Sequence, residues 1–321
     1  MSTHLIVGAG AIGRSAARHL SHAGHDVIVA SRRGTAVPEA STARPVAADA
    51  TDVDALCRLA TGATAIINAV NPPQYSTWAR DWPPVAAALI EAAARTGAGL
   101  VTVSNLYLYG PVDAPMTEET PIAPNGVKGK IRARMWADAL AAHQAGRIRA
   151  TEARASDYFG PGAGSHVSYL NEFVIAPAAA GRRAWLPLGG PDIPHSWTYV
   201  DDIGALAARL ATGDDGWGRP WHVPTSPPRT TRQVAGDAAA LAGAREPRLS
   251  TVPGPVMAIG RAAVPLLREF RETAHQFEHP YVLDSSAATA AFDLEPTQWS
   301  DALAATIAAQ TGTAASAATA R

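Results

Sequence analysis

Short, largely apolar runs recur along the first half of the chain, at Leu5–Val7, Val27–Ala30, Ala65–Asn68, Gly99–Ser104 and Arg149–Arg154. Alanine- and leucine-rich stretches separate them near Ile12–Ala23, Asp52–Ala60, Pro83–Thr96 and Lys130–Ala145. Strands that stay apolar, without a polar residue at every second place, are buried on both faces. Alternated with helices, they predict a parallel sheet covered on each side, with right-handed crossovers. Beyond Gly160 proline and glycine interrupt the pattern, at Phe159-Gly160-Pro161-Gly162, Pro187–Pro194 and Pro224–Pro228, and predict loops in a smaller, less regular lobe. Asp201–Ala211 reads as one more helix and Trp221–Pro224 as one more sheet strand, while Thr311–Arg321 lacks periodicity and reads as a frayed tail.

The first strand runs into Gly8-Ala9-Gly10-Ala11-Ile12-Gly13, and a helix follows. In that context the spacing fits a dinucleotide turn. Gly8 permits the bend, Gly10 lets the backbone approach a pyrophosphate, and Gly13 lets the helix pack closely on the strand. The free amides at the helix start then face the phosphates. An NAD-preferring site carries a carboxylate at the end of the second strand, but here the chain reads Ala30-Ser31-Arg32-Arg33-Gly34. Two guanidiniums and a hydroxyl suit a 2′-phosphate, so NADP(H) is the expected cofactor; a solvated basic turn is the competing reading. Asp49 and Ala50, just before the helical stretch that starts at Asp52, and Asn68, Ala69 and Val70, where the run Ala65–Asn68 ends, are further expected contacts. An N-cap or plain loop role is equally open for them.

These signals predict an α/β chain with a Rossmann-type doubly wound parallel sheet and a smaller, irregular C-terminal substrate lobe. The expected division gives residues 1–165, with 198–225 returning, to the dinucleotide domain. Residues 166–197 and 226–310 form the substrate lobe, and 311–321 a flexible tail.

Composition changes this picture little. Of 321 residues, 47% are hydrophobic and 17% charged, which suits a packed globular protein. The formal net charge of −1 supplies no global field for nucleic acid or an anionic membrane. A single cysteine, Cys57, excludes an intrachain disulfide, and no metal site is expected. No apolar run has the length of a bilayer span and the start does not resemble a signal peptide, so a cytoplasmic location is expected. Self-association is left open.

Three later segments carry a resemblance. Val103-Ser104-Asn105-Leu106-Tyr107-Leu108-Tyr109-Gly110, Arg154-Ala155-Ser156-Asp157-Tyr158-Phe159-Gly160-Pro161-Gly162 and Trp197-Thr198-Tyr199-Val200-Asp201-Asp202 occur in that order. Together with the glycine turn they resemble the extended and atypical short-chain dehydrogenase/reductases, in particular the NAD(P)-dependent epimerase/dehydratase group. That resemblance implies a Ser or Thr followed by Tyr-x-x-x-Lys, with Tyr transferring the proton. This chain departs from it: Asn105 stands at the Ser/Thr position, and the best register for the second element is Lys128-x-x-x-Arg132, with no tyrosine.

Residues 128, 132, 135 and 139 share one helical stripe, which predicts that both cations face inward. A solvated basic helix start is the alternative. Lys128 or Arg132 then takes the place of the family's lysine, beside Ser104, on the nicotinamide side of the cofactor. Tyr107, on the same strand face as Asn105, is the second candidate acid, with Asn105 as hydrogen-bond donor and Lys128 as the other proton-transfer candidate. Tyr107 as a plain aromatic wall is as good a reading. Asp157, Tyr158 and His195 are the expected substrate contacts, and Trp185, Trp197, Phe277 and Tyr281 suggest an aromatic pocket or core. The run Arg268-Glu269-Phe270-Arg271-Glu272 reads as a solvated helix face.

The expected function is an NADP(H)-dependent oxidoreductase acting on a small carbonyl, imine or enone metabolite. An epimerase or dehydratase with a retained, recycled cofactor and a redox-silent NADP-binding regulator are the alternatives.

Overall fold

The computed structural model describes residues 1–72, 74–164, 168–254, 256–257 and 271–319. Seven parallel strands form the central sheet: β1 (Thr3–Val7), β2 (Asp26–Ser31), β3 (Ala43–Ala47), β4 (Ala63–Asn68), β5 (Gly99–Asn105), β6 (Ala150–Ala155) and, after the lobe strands β7 (Tyr158–Phe159), β8 (Ala184–Leu186) and β9 (Thr198–Tyr199), β10 (Pro220–His222). Their spatial order is β10-β6-β5-β4-β1-β2-β3. The chain winds outward from β1 in one direction and from β4 in the other. The sheet therefore leaves a crevice at the carboxyl ends of β1 and β4, the place where open α/β sheets bind ligands.

The continuous apolar runs have a direct physical cause. Along β1, Ile6 points to one face and Leu5 and Val7 to the other, and all three are buried. Ile6, Val29, Ile67 and Val101 pack against α1 (Ala11–His22) and α6 (Val200–Thr212) through Leu20, Ile203 and Leu206. Leu5, Ile28, Ile66 and Leu100 pack against α2 (Val53–Ala60), α3 (Trp78–Thr96) and α4 (Val127–Gln144) through Leu56, Leu89 and Met135. A third cluster centred on Phe159, Leu170, Val174, Trp197, Phe277 and Leu303 holds the C-terminal lobe, which includes α5 (Ala176–Ala179), α7 (Thr231–Leu241), β11 (Leu249–Thr251) and α8 (His275–Glu278). Then come α9 (Ser286–Phe292) and α10 (Trp299–Thr319).

Two boundaries depart furthest from expectation, and the edge strand β3 is not among the apolar runs read from the sequence. The third helix starts at Trp78, a turn before the prolines at 83 and 84 that sequence reasoning takes as its beginning. A proline beyond the first turn forfeits a helix hydrogen bond. Burial of Trp78 and Trp82, 2% and 0% exposed, offsets that cost here. The last helix continues through Thr319 where a frayed tail was expected from residue 311; alanine's high helix propensity carries it on.

One charged network is fully internal. Arg154, 1% exposed, donates to Glu152 Oε2 (2.7 Å) and to the Tyr109 hydroxyl (2.7 Å), which lies 2.8 Å from His222 Nε2. These bonds tie β6, β10 and the tight turn Tyr107–Tyr109 together, and so fix the strand end from which Tyr107 projects.

Candidate active site

A cavity of about 1600 Å³ opens at the carboxyl ends of the strands and runs from Arg33 to Tyr281. Its two ends are built differently.

At the β1–β2 end, backbone defines the surface. Gly8 adopts φ +114°, and a Cβ there would come within 2.5 Å of the Ala69 carbonyl oxygen. A Cβ on Gly13 would overlap the Gly8 carbonyl, so Gly13 lies behind the surface and serves the close packing of α1 on β1. Gly10 is different. It has an ordinary extended backbone, and a Cβ there would meet nothing within 4 Å. The protein does not need a glycine at 10 for its own packing, and the missing side chain leaves open room beside the first amides of α1. Gly8, Gly10, Ala11 and Ile12 all line the cavity. That is a cradle of the shape a pyrophosphate requires.

Arg32 and Arg33 line the same end and are exposed. The Ser31 hydroxyl accepts from the Thr35 amide (2.9 Å), which shapes the turn carrying the two guanidiniums. Asp49 Oδ1 accepts from the backbone amide (2.9 Å) and hydroxyl (2.8 Å) of Thr51; these bonds hold its carboxyl below the usual range. Ala50, Ala69 and Val70 line the wall, but the Asn68 side chain does not. It is buried, and its Oδ1 accepts from the Val70 amide (3.2 Å), shaping the bend after β4. The residues present fit a nicotinamide dinucleotide.

At the far end side chains define the surface. Ser104, Asn105 and Tyr107 leave β5 facing the cavity. Asn105 Oδ1 accepts from the Tyr107 amide (3.2 Å), so its amide nitrogen is the end not used in that turn. The Tyr107 hydroxyl lies 3.2 Å from that of Tyr75, on the loop before α3. Burial, then the neighbouring Tyr75, pushes the Tyr107 phenol well above its ordinary pKa, so it stays a protonated donor at neutral pH.

The stripe on α4 faces inward as expected: Lys128, Arg132, Met135 and Ala139 are buried while Lys130 and Arg134 are exposed. The two inward cations part company, however. The Arg132 guanidinium lines the cavity, 4.2 Å from the ring centre of Trp82 and 5.0 Å from that of Trp78, with Nε and Nη1 buried and without a hydrogen-bond partner among the described residues. Desolvation lowers its pKa to about 10, which leaves it charged at neutral pH. Lys128 does not line the cavity. Its Nζ is 3.2 Å from Glu272 Oε2, and Glu272 Oε1 accepts from the Lys128 amide (2.5 Å) and the Gly129 amide (3.4 Å). Glu272 therefore caps the start of α4, where Gly126 has no side chain to do so. In the run expected to be a solvated face, Arg271 is exposed but Glu272 is turned inward, and Arg268, Glu269 and Phe270 lie outside the described residues.

The expected substrate contacts converge. Asp157 and Tyr158 line the cavity, and Asp157 Oδ2 is 3.0 Å from His195 Nε2. His195 is 2% exposed, stacks on Trp197 at 4.0 Å, and places Nδ1 3.1 Å from the Gln276 carbonyl oxygen. It reaches the site through Asp157 and is not itself part of the wall. Five further residues at this end went unread or only partly read in the sequence: Tyr75, Trp78, Tyr169, Gln276 and Tyr281. Tyr281 was counted among the aromatics of a pocket or core. The others come from separate segments, and no local pattern marks them.

A family model described as the NAD dependent epimerase/dehydratase family matches residues 4–219. The chain belongs to that family. No curated protein sequence matches the chain. Among solved structures, UDP-glucose 4-epimerase from Thermotoga maritima, determined with UDP-glucose, is 17% identical with TM-score 0.78, over 97% of this chain and 99% of that one. The dTDP-glucose 4,6-dehydratase DesIV from Streptomyces venezuelae, determined with NAD and TYD, is 20% identical with TM-score 0.74, over 97% of both chains. A dTDP-glucose 4,6-dehydratase from Bacillus anthracis in complex with NAD is 18% identical with TM-score 0.75, again over 97% of both. The epimerase/dehydratase fold thus extends through the C-terminal lobe, beyond the segment that the family model matches.

Membership makes the chain one of a family of nicotinamide-dependent enzymes. Within the epimerase/dehydratase frame the departures are physical. Lys128 stands at the expected tyrosine position and is drawn to Glu272, while Arg132 keeps a cation on the cavity wall. No helix among the described residues is long and apolar enough to cross a membrane.

Proposed function

We propose that this chain is an NADP(H)-dependent oxidoreductase that reduces or oxidises a small carbonyl, imine or enone compound. The observation that carries the reading is the exposed pair Arg32 and Arg33 on the cavity wall at the end of β2, where the residues between Ala30 and Gly34 include no carboxylate for a ribose diol. When bound, the cofactor supplies hydride exchange at its nicotinamide ring. The chain's own residues do the rest. Gly8, Gly10 and the amides at the start of α1 seat the diphosphate, and Ala69, Val70 and Ser104 line its path across the strand ends. The unpartnered Nε and Nη1 of Arg132 donate to the ribose on the nicotinamide side. Tyr107 gives its proton to the substrate oxygen or nitrogen, with the Asn105 amide as a second donor and Tyr75 as the phenol behind it.

Calorimetry with NADPH and NADH tests the reading. NADPH is expected to bind at least about tenfold more tightly, and Arg32→Ala with Arg33→Ala to erase the difference. Equal affinities, or binding of neither, overturns it. NADPH oxidation over a panel of ketones, imines and enones then reports the activity.

Family membership favours a second reading, an epimerase or dehydratase that keeps its cofactor and returns the hydride. It predicts cofactor carried through purification and turnover without net NADPH consumption. A redox-silent regulator is the weakest alternative, because Tyr107 and Asp157 face one cavity.

A further inference from the structure

The substrate end of the cavity has an uneven chemistry. Five of the chain's seven tyrosines, Tyr75, Tyr107, Tyr158, Tyr169 and Tyr281, line the wall. Among the described lining residues the carboxylates are Asp49, Asp81 and Asp157. Asp49 is bonded to Thr51 at the adenosine end, and Asp81 is paired with Arg80 on the outer turn of α3. Asp157 is the one set among the phenols: its charge helps to raise the pKa of Tyr107, Tyr158, Tyr169 and Tyr281 alike.

Around Asp157 several polar atoms are buried without an aligned partner. They are Asp157 Oδ2, His195 Nε2, both side-chain ends of Gln276 and the Tyr281 hydroxyl. Gln276 is 1% exposed and Tyr281 3% exposed, and both line the cavity. Leaving such atoms unmade is costly unless a ligand completes them. His195 Nδ1 faces the Gln276 carbonyl oxygen and so carries a hydrogen, while Nε2 backs onto Asp157 Oδ2 at 3.0 Å. The Asp157 side chain remains 23% exposed, so its carboxylate is presented to the cavity with His195 behind it. A protonated nitrogen offers two or three hydrogens and the opposite charge. The described cations of the wall are Arg32, Arg33 and Arg80 toward the adenosine end, and Arg132 beside Trp78 and Trp82, assigned above to the cofactor ribose.

We propose that this end selects ligands bearing a protonated nitrogen, an ammonium or iminium group held by the Asp157 carboxylate, with His195 behind it and Gln276 and Tyr281 beside it. The inference rests on the cavity being the cofactor and substrate site argued above, and it narrows the substrate class to amines and imines.

The test uses the full chain saturated with NADP⁺ and three probes on one skeleton: 2-phenylethylamine, 2-phenylethanol and phenylacetate, each titrated by calorimetry. The amine is expected to bind at least about tenfold more tightly than the alcohol, with phenylacetate weakest. Asp157→Asn is expected to bring amine and alcohol within about twofold while leaving NADP⁺ affinity unchanged. If that variant fails to fold, the wild-type ranking decides, with Gln276→Leu expected to weaken the amine by about fivefold. Alcohol or carboxylate binding as tightly as the amine overturns the proposal, and so does absence of amine binding with NADP⁺ in place. Failure of NADP⁺ itself to bind is a separate result, which sinks the cofactor reading; the amine ranking is then read on the free protein.

Discussion

The two ends of the cavity obey different rules of construction. At the end proposed for the adenosine, one short stretch, Gly8 to Gly13, supplies bend, opening and helix start, and Arg32 and Arg33 follow at the next strand end. The surface there is backbone, and its demands fall on residues a few places apart. At the substrate end Tyr75, Tyr107, Arg132, Asp157, Gln276 and Tyr281 come from separate parts of the chain and meet only because the sheet and the lobe bring them together. The first end behaves as a motif. The second depends on tertiary structure, and its chemistry can change without disturbing the first.

The sharpest way to break this comparison is to fill the opening at Gly10. A Cβ there meets nothing, and the backbone is extended, so Gly10→Val is expected to fold, at a helix-cap cost of about 1 kcal/mol. It is expected to lose about a thousandfold in NADPH affinity, because the side chain occupies the room left for the diphosphate. Gly13→Val, by contrast, strikes the Gly8 carbonyl and is expected to destabilise the fold as well. Calorimetry and thermal melts separate the two. If Gly10→Val binds NADPH normally, the adenosine end has been misplaced.

The next prediction tests the other end. Tyr107→Phe removes the phenol from the Tyr75–Tyr107 pair while keeping the ring. The expected result is a fall in kcat of about a hundredfold with NADPH affinity unchanged, since positioned acids contribute roughly that much or more. Measured by NADPH oxidation with any substrate found active, an unchanged kcat removes Tyr107 as the proton donor.

The same contrast explains what the sequence made legible. The parallel sheet, the glycine turn and the inward stripe on α4 were readable because each is a local period or spacing with one physical cause. Lys128 shows where this fails. Helical spacing placed it inward with Arg132, correctly. Its destination was not readable, because the carboxylate it meets, Glu272, lies 144 positions away. Asp157 and His195 were each readable as candidates, but their 3.0 Å approach was not. Tyr75 and Gln276 carried no sequence signal at all, since an isolated tyrosine in a loop or a lone glutamine looks like any other until the fold gives it neighbours.

The smallest expected effect concerns that long-range tie. Glu272 sets a carboxylate against the buried Lys128 ammonium and caps the first amides of α4, so the substrate end is held partly by a segment from the far end of the chain. Glu272→Gln keeps the shape and a hydrogen-bond acceptor but removes the charge. The α4 start then loses an anion at the positive end of its dipole, and Lys128 loses one opposing charge in a site where it is 3% exposed. A loss of about 1–2 kcal/mol in unfolding free energy is expected. The adenosine end shares no residue with this tie, so NADPH affinity is expected to hold within about twofold. Denaturant melts and calorimetry on the same preparation report both quantities. A stability loss with intact cofactor binding confirms that the two ends are separately supported. A parallel drop in NADPH affinity would instead show that α4 transmits the state of its first turn through Arg132 to the cofactor, and would join the two ends into one unit.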